Sequence, residues 1–228
     1  MKKNENDQNA KAKEKNNGLT ELVFILDKSG SMSGLEGDTI GGFNSMLKKQ
    51  REKGEGEVLV TTVLFSSRSE MIHDRRPIAG VPELTDREYA VGGCTALLDA
   101  IGETINYIEN AHKKSSADIP GNVLFVITTD GLENASSEYS SSAVKKMITA
   151  KQKKGWEFLF MAANIDAVET AARYGIREEH AVNYRADAAG TANNFVALEE
   201  AVTCMRQKGK VGKKWKKIVD DDFNGRKD

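Results

Sequence analysis

Three short stretches of the chain gather oxygen donors among glycines: Asp27-Lys28-Ser29-Gly30-Ser31, Gly92-Gly93-Cys94-Thr95 and Thr128-Thr129-Asp130-Gly131. From them Asp27, Ser29, Ser31, Thr95 and Asp130 offer two carboxylates and three hydroxyls, with no imidazole or thiolate forced into the set. Hard donors of this kind suit Mg²⁺, or Mn²⁺, rather than Zn²⁺. In the first stretch the donors fall at i, i+2 and i+4, so they can converge on one point where a strand turns out of a sheet. Gly30 allows the tight backbone between them. Two aspartates just balance a divalent ion, which leaves an open coordination position with Lewis acidity for an anionic oxygen from outside. The plainer reading of Asp-x-Ser-x-Ser is a strand-to-helix turn whose hydroxyls cap backbone donors.

Positioning these residues requires strands that end at them. The runs Leu22 to Leu26, Val58 to Phe65, Val123 to Thr128 and Phe158 to Ala162 are near-continuous, apolar and rich in β-branched and aromatic residues. Such runs suit parallel strands covered on both faces. Glu70 to Ile78 alternates and carries Arg75, Arg76 and Pro77, which places it at a sheet edge as the hairpin partner of the strand before it. His180 to Tyr184 reads as a short last edge strand. Between the runs, apolar residues recur at helical spacing: Ile40, Phe43 and Leu47; Leu97, Leu98, Ile101, Ile105 and Ile108; Val144, Met147 and Ile148; Phe195, Leu198, Val202 and Met205. Asp166 and Glu169 resemble a capping box for a short helix that stops at Gly175. Strands alternating with helices give an α/β domain over residues 19–205, with the sheet sandwiched by helices. Ligands of such sheets bind beyond the carboxyl ends of the strands, where strand order reverses, and there the three donor stretches fall.

The flanks differ from this body. Residues 1–17 hold five basic and three acidic side chains with no periodic apolar positions, which predicts a disordered arm over 1–18. Residues 206–228 hold nine basic and four acidic side chains and read as a mobile basic tail, with Trp215 in its basic run. The near-neutral total of -1 therefore hides a body of net charge -8. An acidic body does not suit duplex DNA, so nucleic acid could be held only through the basic tail. No stretch has the apolar length of a membrane span, and the N-terminus lacks an apolar signal region, so a cytoplasmic monomer is expected. Cys94 and Cys204 have no CxxC partner and read as free thiols. His73, His112 and His180 are scattered and read as surface or edge residues.

Taken together and in this order, the D-x-S-x-S stretch after a strand, G-G-C-T-A before a helix and T-D-G after a later strand resemble the von Willebrand factor A domain family with its metal-ion-dependent adhesion site. All five motif positions are filled, and the resemblance spans roughly residues 19–205. It implies a Rossmann-like sheet of order 3-2-1-4-5-6 with strand 3 antiparallel. It further implies ligation of the metal by Ser29, Ser31 and Thr95, with Asp27 and Asp130 acting directly or through water. The partner is then a protein that supplies a carboxylate, and the module has no catalysis of its own. Compact size resembles the bacterial stand-alone members, including the tellurite-resistance type. Lys28, Cys94, Glu133 and Asn134 are candidates for a partner-binding rim, although Glu133 and Asn134, with Ser136, better suit capping of a helix that starts near Ser141. The alternative is a phosphoryl hydrolase of the haloacid-dehalogenase type with Asp27 as nucleophile. That family wants a second aspartate two residues on, where this chain has Ser29.

Overall fold

A computed structural model describes residues 15–54, 56–115 and 119–226. Six strands form one sheet: β1 (Lys15–Asp27), β2 (Glu57–Phe65), β3 (Ser69–Pro77), β4 (Ile119–Thr129), β5 (Trp156–Ala162) and β6 (Ala181–Asn183). Their order is β3-β2-β1-β4-β5-β6, with β3 antiparallel to β2 and every other pair parallel. This is the expected arrangement.

Side-chain alternation along the central strands feeds two cores. Leu22, Phe24 and Leu26 of β1, with Leu124 and Val126 of β4, face α1 (Glu36–Glu52) and α5 (Ala188–Lys208). Val23, Ile25, Phe125 and Ile127 face the opposite way, toward α2 (Leu97–Lys114), α3 (Ser141–Gln152) and the short α4 (Ala167–Arg173). Both faces are covered, which is why these strands read as unbroken apolar runs rather than as alternating ones. The predicted helical stripes supply the covering residues, Phe43 and Leu47 from α1 and Leu198, Val202 and Met205 from α5 among them. Helices α1 and α5 approach closely because Gly42 has no side chain: a Cβ there would lie 2.2 Å from the Phe195 ring. β3 sits at the edge as its charges demand, and its register against β2 shifts near Arg75, which has φ 43°.

Two expectations about the flanks change. Most of the arm predicted over 1–18 lies outside the described residues, but from Lys15 the chain is already strand, with Lys15 opposite Ile119 and Asn16 opposite Pro120. The basic segment after residue 205 is no mobile tail over its described part. α5 continues to Lys208, and a further helix, α6 (Lys217–Gly225), packs against it. Trp215 is 1% exposed and joins the α1/α5 core with Val211 and Val219. Its indole N–H donates to the Glu179 carbonyl at 3.0 Å, and Lys216 Nζ donates to the Ala181 carbonyl at 2.7 Å. Lys210, Lys213, Lys214 and Lys217 stay exposed while three apolar residues, four apart, are buried between them. Among the described residues no helix is long and apolar enough to cross a membrane.

Candidate metal centre

β1 and β4 are neighbours in the sheet, yet the chain leaves β1 for a helix on one face and β4 for a helix on the other. The crevice where strand order reverses therefore opens between their carboxyl ends, at Asp27 and Thr129. Strand adjacency brings the two side chains together: Thr129 Oγ1 donates to Asp27 Oδ2 at 2.6 Å. The Ser29 backbone N–H donates to Asp27 Oδ1 at 2.7 Å, so both carboxylate oxygens are held. Ser29 Oγ and Ser31 Oγ lie 3.1 Å apart, and Ser31 Oγ donates to Asp130 Oδ1 at 2.5 Å. Four of the five predicted donor residues are thus brought together directly or through Thr129.

Thr95 joins them by its backbone. Gly30 N donates to Gly93 O at 3.0 Å and Gly92 N donates to Lys28 O at 2.9 Å, which sews the second stretch onto the first. Gly93 has φ 84°, a region that favours glycine, and a Cβ there would lie 2.8 Å from Ser67 Oγ. Thr95 itself is bracketed by Asn134, whose Oδ1 accepts from Thr95 N at 2.9 Å while its own N–H donates to Thr95 O at 3.1 Å. Asp27, Ser29, Thr95 and Asp130 are buried and Ser31 is exposed, so the cluster meets solvent on the Ser31 side.

Burial raises the carboxyl of Asp27 above its ordinary value, against the opposing hydrogen bonds from Ser29 and Thr129, and the nearby Asp130 charge adds to the rise. Asp130 is raised for the same first reason, opposed by Ser31. The negative field reaches Tyr89 and Tyr184, whose phenols are pushed up by burial first and then by Asp27 and Asp130 among their neighbours. Asp130 Oδ2 is buried without a hydrogen-bond partner among the described residues. A divalent cation would answer that orphan oxygen and both carboxylates together, so the residues present fit Mg²⁺ or Mn²⁺. Among the described residues no group of three or more His, Cys, Asp and Glu side chains is placed to hold a metal, so here a cation would depend on hydroxyls beside two carboxylates.

The rim residues are placed as follows. Lys28 Nζ binds Glu70 Oε2 at 2.7 Å and the Glu88 carbonyl at 3.2 Å, across toward β3. Cys94 is exposed beside Thr95, its N–H donating to Ser67 Oγ at 2.9 Å. Glu133 faces inward and accepts from Leu98 N at 3.0 Å and Ser136 N at 2.7 Å. Glu133 and Asn134 thus cap the start of α2, not the helix at Ser141, where Ser140 does the capping. Asp99, in the first turn of α2, completes the joint by accepting from Ser137, Glu138 and Tyr139 N–H groups. Sequence reasoning missed Asp99, Thr129, Tyr89 (Oη donating to Asp27 O) and Asn164, whose Nδ2 donates to Asp130 O at 3.1 Å. Only the acidic residue in the first helical turn carried a local signal.

No protein-family model matches the sequence, and no curated protein matches it. Solved structures do. The vWF domain of the type V pili tip protein Mfa5 from Porphyromonas gingivalis superposes with a TM-score of 0.59 at 13% identity, covering 85% of this chain and 98% of that one. The PilB minor pilin from Streptococcus sanguinis gives 0.56 at 12% identity, covering 84% and 62%. A von Willebrand factor type A protein from Catenulispora acidiphila gives 0.53 at 12% identity, covering 80% and 42%. The chain spans less than half the length of the mussel byssus protein PTMP1, which it also matches, at a TM-score of 0.53. Identities this low speak for the fold alone, and that fold, with its six strands in the order 3-2-1-4-5-6 and strand 3 antiparallel, is the Rossmann-like fold of von Willebrand factor A domains.

Proposed function

We propose that the chain is a Mg²⁺-dependent protein-interaction module that captures a carboxylate of a partner protein at the crevice between β1 and β4. One observation carries the reading: Asp130 Oδ2 is buried and unpartnered within a cluster of oxygen donors whose two carboxylates are both raised by burial. Ser29, Ser31 and Thr95 would hold the ion by their hydroxyls, with Asp27 and Asp130 balancing its charge. When bound, the ion supplies Lewis acidity and a local positive charge. The chain's own part is to fix the donors. Thr129 and the Ser29 N–H orient Asp27, and Asn134 positions Thr95. Exposed Ser31 leaves the side from which a partner oxygen arrives.

One fold relative, the pili tip protein Mfa5, bears a name that suits an interaction role. The proposal extends to a bacterial stand-alone module working as a cytoplasmic monomer. The hydrolase alternative lacks its general acid, because Ser29 stands where the second aspartate is needed.

Calorimetric titration of Mg²⁺ and Mn²⁺ into the chelator-treated chain tests the reading. Saturable one-site binding is expected, abolished in Asp130→Ala. Acidic peptides on an array should then be retained in Mg²⁺ and released by chelator. Absence of metal binding, or peptide retention indifferent to chelator, would overturn the proposal.

A further inference from the structure

At the opposite end of the sheet from the metal centre lies a second concavity that the interaction reading does not use. It is a cavity of about 560 Å³ between the end of α2, the end of α3 and the starts of β1 and β4. Its wall carries the cations Lys15, Lys113, Lys151, Lys153 and Lys154 beside the His112 ring, and among the described residues its single acidic residue is Glu109. Glu109 is already answered: Lys151 lies 2.5 Å from it and Lys154 3.2 Å, and the hydrogen bond from Lys151 leads in holding its carboxyl down at about 2. Among the described residues, positive charge therefore exceeds negative around this open concavity, on a body whose net charge is -8.

Lysines in the last turn of a helix also complement its macrodipole, which accounts for Lys113 and Lys151. It does not account for Lys15, which comes from a strand and donates to the Lys154 carbonyl at 2.8 Å, at the same mouth. Nor does it account for the fixed inner wall. Lys151 is 5% exposed and sits over the Trp156 ring at 5.4 Å, while His112 is 8% exposed and anchored by Nε2 on the buried carboxylate of Glu21. Lys15, Lys113, Lys153 and Lys154 are exposed around this wall, where their mutual repulsion is relieved by an anion.

We propose that this cavity binds a small polyanion of the phosphate class, a compact polyphosphate group rather than a single carboxylate. Several ammonium point charges spaced around a cavity of small-ligand size call for several negative oxygens at once, and lysine binds phosphate as a point charge without needing a fixed plane. The site is independent of the metal centre and of the partner reading.

Inorganic tripolyphosphate, titrated calorimetrically into the full chain without divalent metal and at fixed ionic strength, tests the proposal. Saturable binding of one molecule per chain is expected, weakening as salt is raised. The double variant Lys113→Ala/Lys153→Ala, both exposed positions, should weaken it about tenfold. The charge-matched double Lys213→Ala/Lys214→Ala, at exposed positions that do not line the cavity, should leave it unchanged, as should Asp27→Ala. Circular dichroism melting of each variant keeps folding separate from binding. Absence of saturable binding, or equal weakening in the two doubles, overturns the proposal and leaves the metal-centre reading untouched.

Discussion

β1 carries two buried carboxylates six residues apart, and the fold treats them in opposite ways. Glu21, fully buried in mid-strand, meets the Arg75 guanidinium at 2.6 Å and the His112 ring, so the chain supplies its compensating groups from β3 and α2. Asp27, at the strand's end, lies beside a second carboxylate, Asp130. Among the described residues no ion pair reaches either, and adjacent Lys28 reaches across to Glu70. Buried charge without a partner is costly, and a protein able to staff Glu21 from within shows that the shortage at Asp27 is not one of available cations. On the proposed reading, the difference separates a carboxylate kept for architecture from a pair kept for a ligand.

The sharpest way to break that contrast is to strip Glu21 of its guanidinium. Arg75→Ala leaves Glu21 with His112 alone and should cost about 3 kcal/mol in chemical denaturation, independent of Mg²⁺. Loss of under about 0.5 kcal/mol, the range of ordinary surface substitutions, would mean that the ion pair is not structural.

The contrast also shows what one sequence makes legible. Strand identity and the edge position of β3 follow from unbroken apolar runs against one charged, proline-bearing run, because burial on both faces writes itself into every residue of a strand; the strand order followed only from the family resemblance. The donor residues followed from type and spacing, because their chemistry is local. Partners set by strand adjacency were hidden: Thr129 reaches Asp27 across 102 positions, and no local pattern in the T-D-G stretch distinguishes a donor from a core threonine. Glu133 and Asn134 were assigned to the nearer helix because capping rules are local, whereas they cap α2 from more than 30 residues away. α6 was missed for a compositional reason. Seven basic residues in twelve outweigh Val211, Trp215 and Val219, although those three alone touch the core. Trp215→Ala should accordingly cost about 3 kcal/mol or more in the same denaturation experiment, where a mobile tail would give no change.

On the other side of the comparison, Asp130→Ala should behave unlike a core lesion. It removes an unpartnered oxygen and relieves Asp27 of a like charge, so the metal-free protein should gain about 1 kcal/mol or stay level, while the stabilisation by Mg²⁺ disappears. A pH series sharpens the point. Asp27 and Asp130 have folded values above the ordinary 3.8. The native state then holds protons that the unfolded chain has already lost, so metal-free stability falls as pH rises from the ordinary value through the folded one. Mg²⁺ competes with those protons and should stabilise more at neutral pH than near pH 4, read as the difference between melting curves with and without the ion. A flat difference would remove the carboxylates from the site.

The smallest effect expected is at Thr129. Thr129→Val preserves shape but withdraws the donor from Asp27 Oδ2, leaving that oxygen as poorly served as Asp130 Oδ2. Without metal the loss should be about 1 kcal/mol, the net worth of one hydrogen bond plus part of a desolvated oxygen. With metal the outcome separates two roles for Thr129. If it only supports the fold, the cost is the same in both conditions and Mg²⁺ affinity is unchanged. If it aims Asp27 at the ion, affinity should fall about tenfold, as outer-shell substitutions do at other metal sites, and Thr129→Ser should restore it by returning the hydroxyl. The serine variant decides the matter, because it restores the donor while leaving the methyl group out.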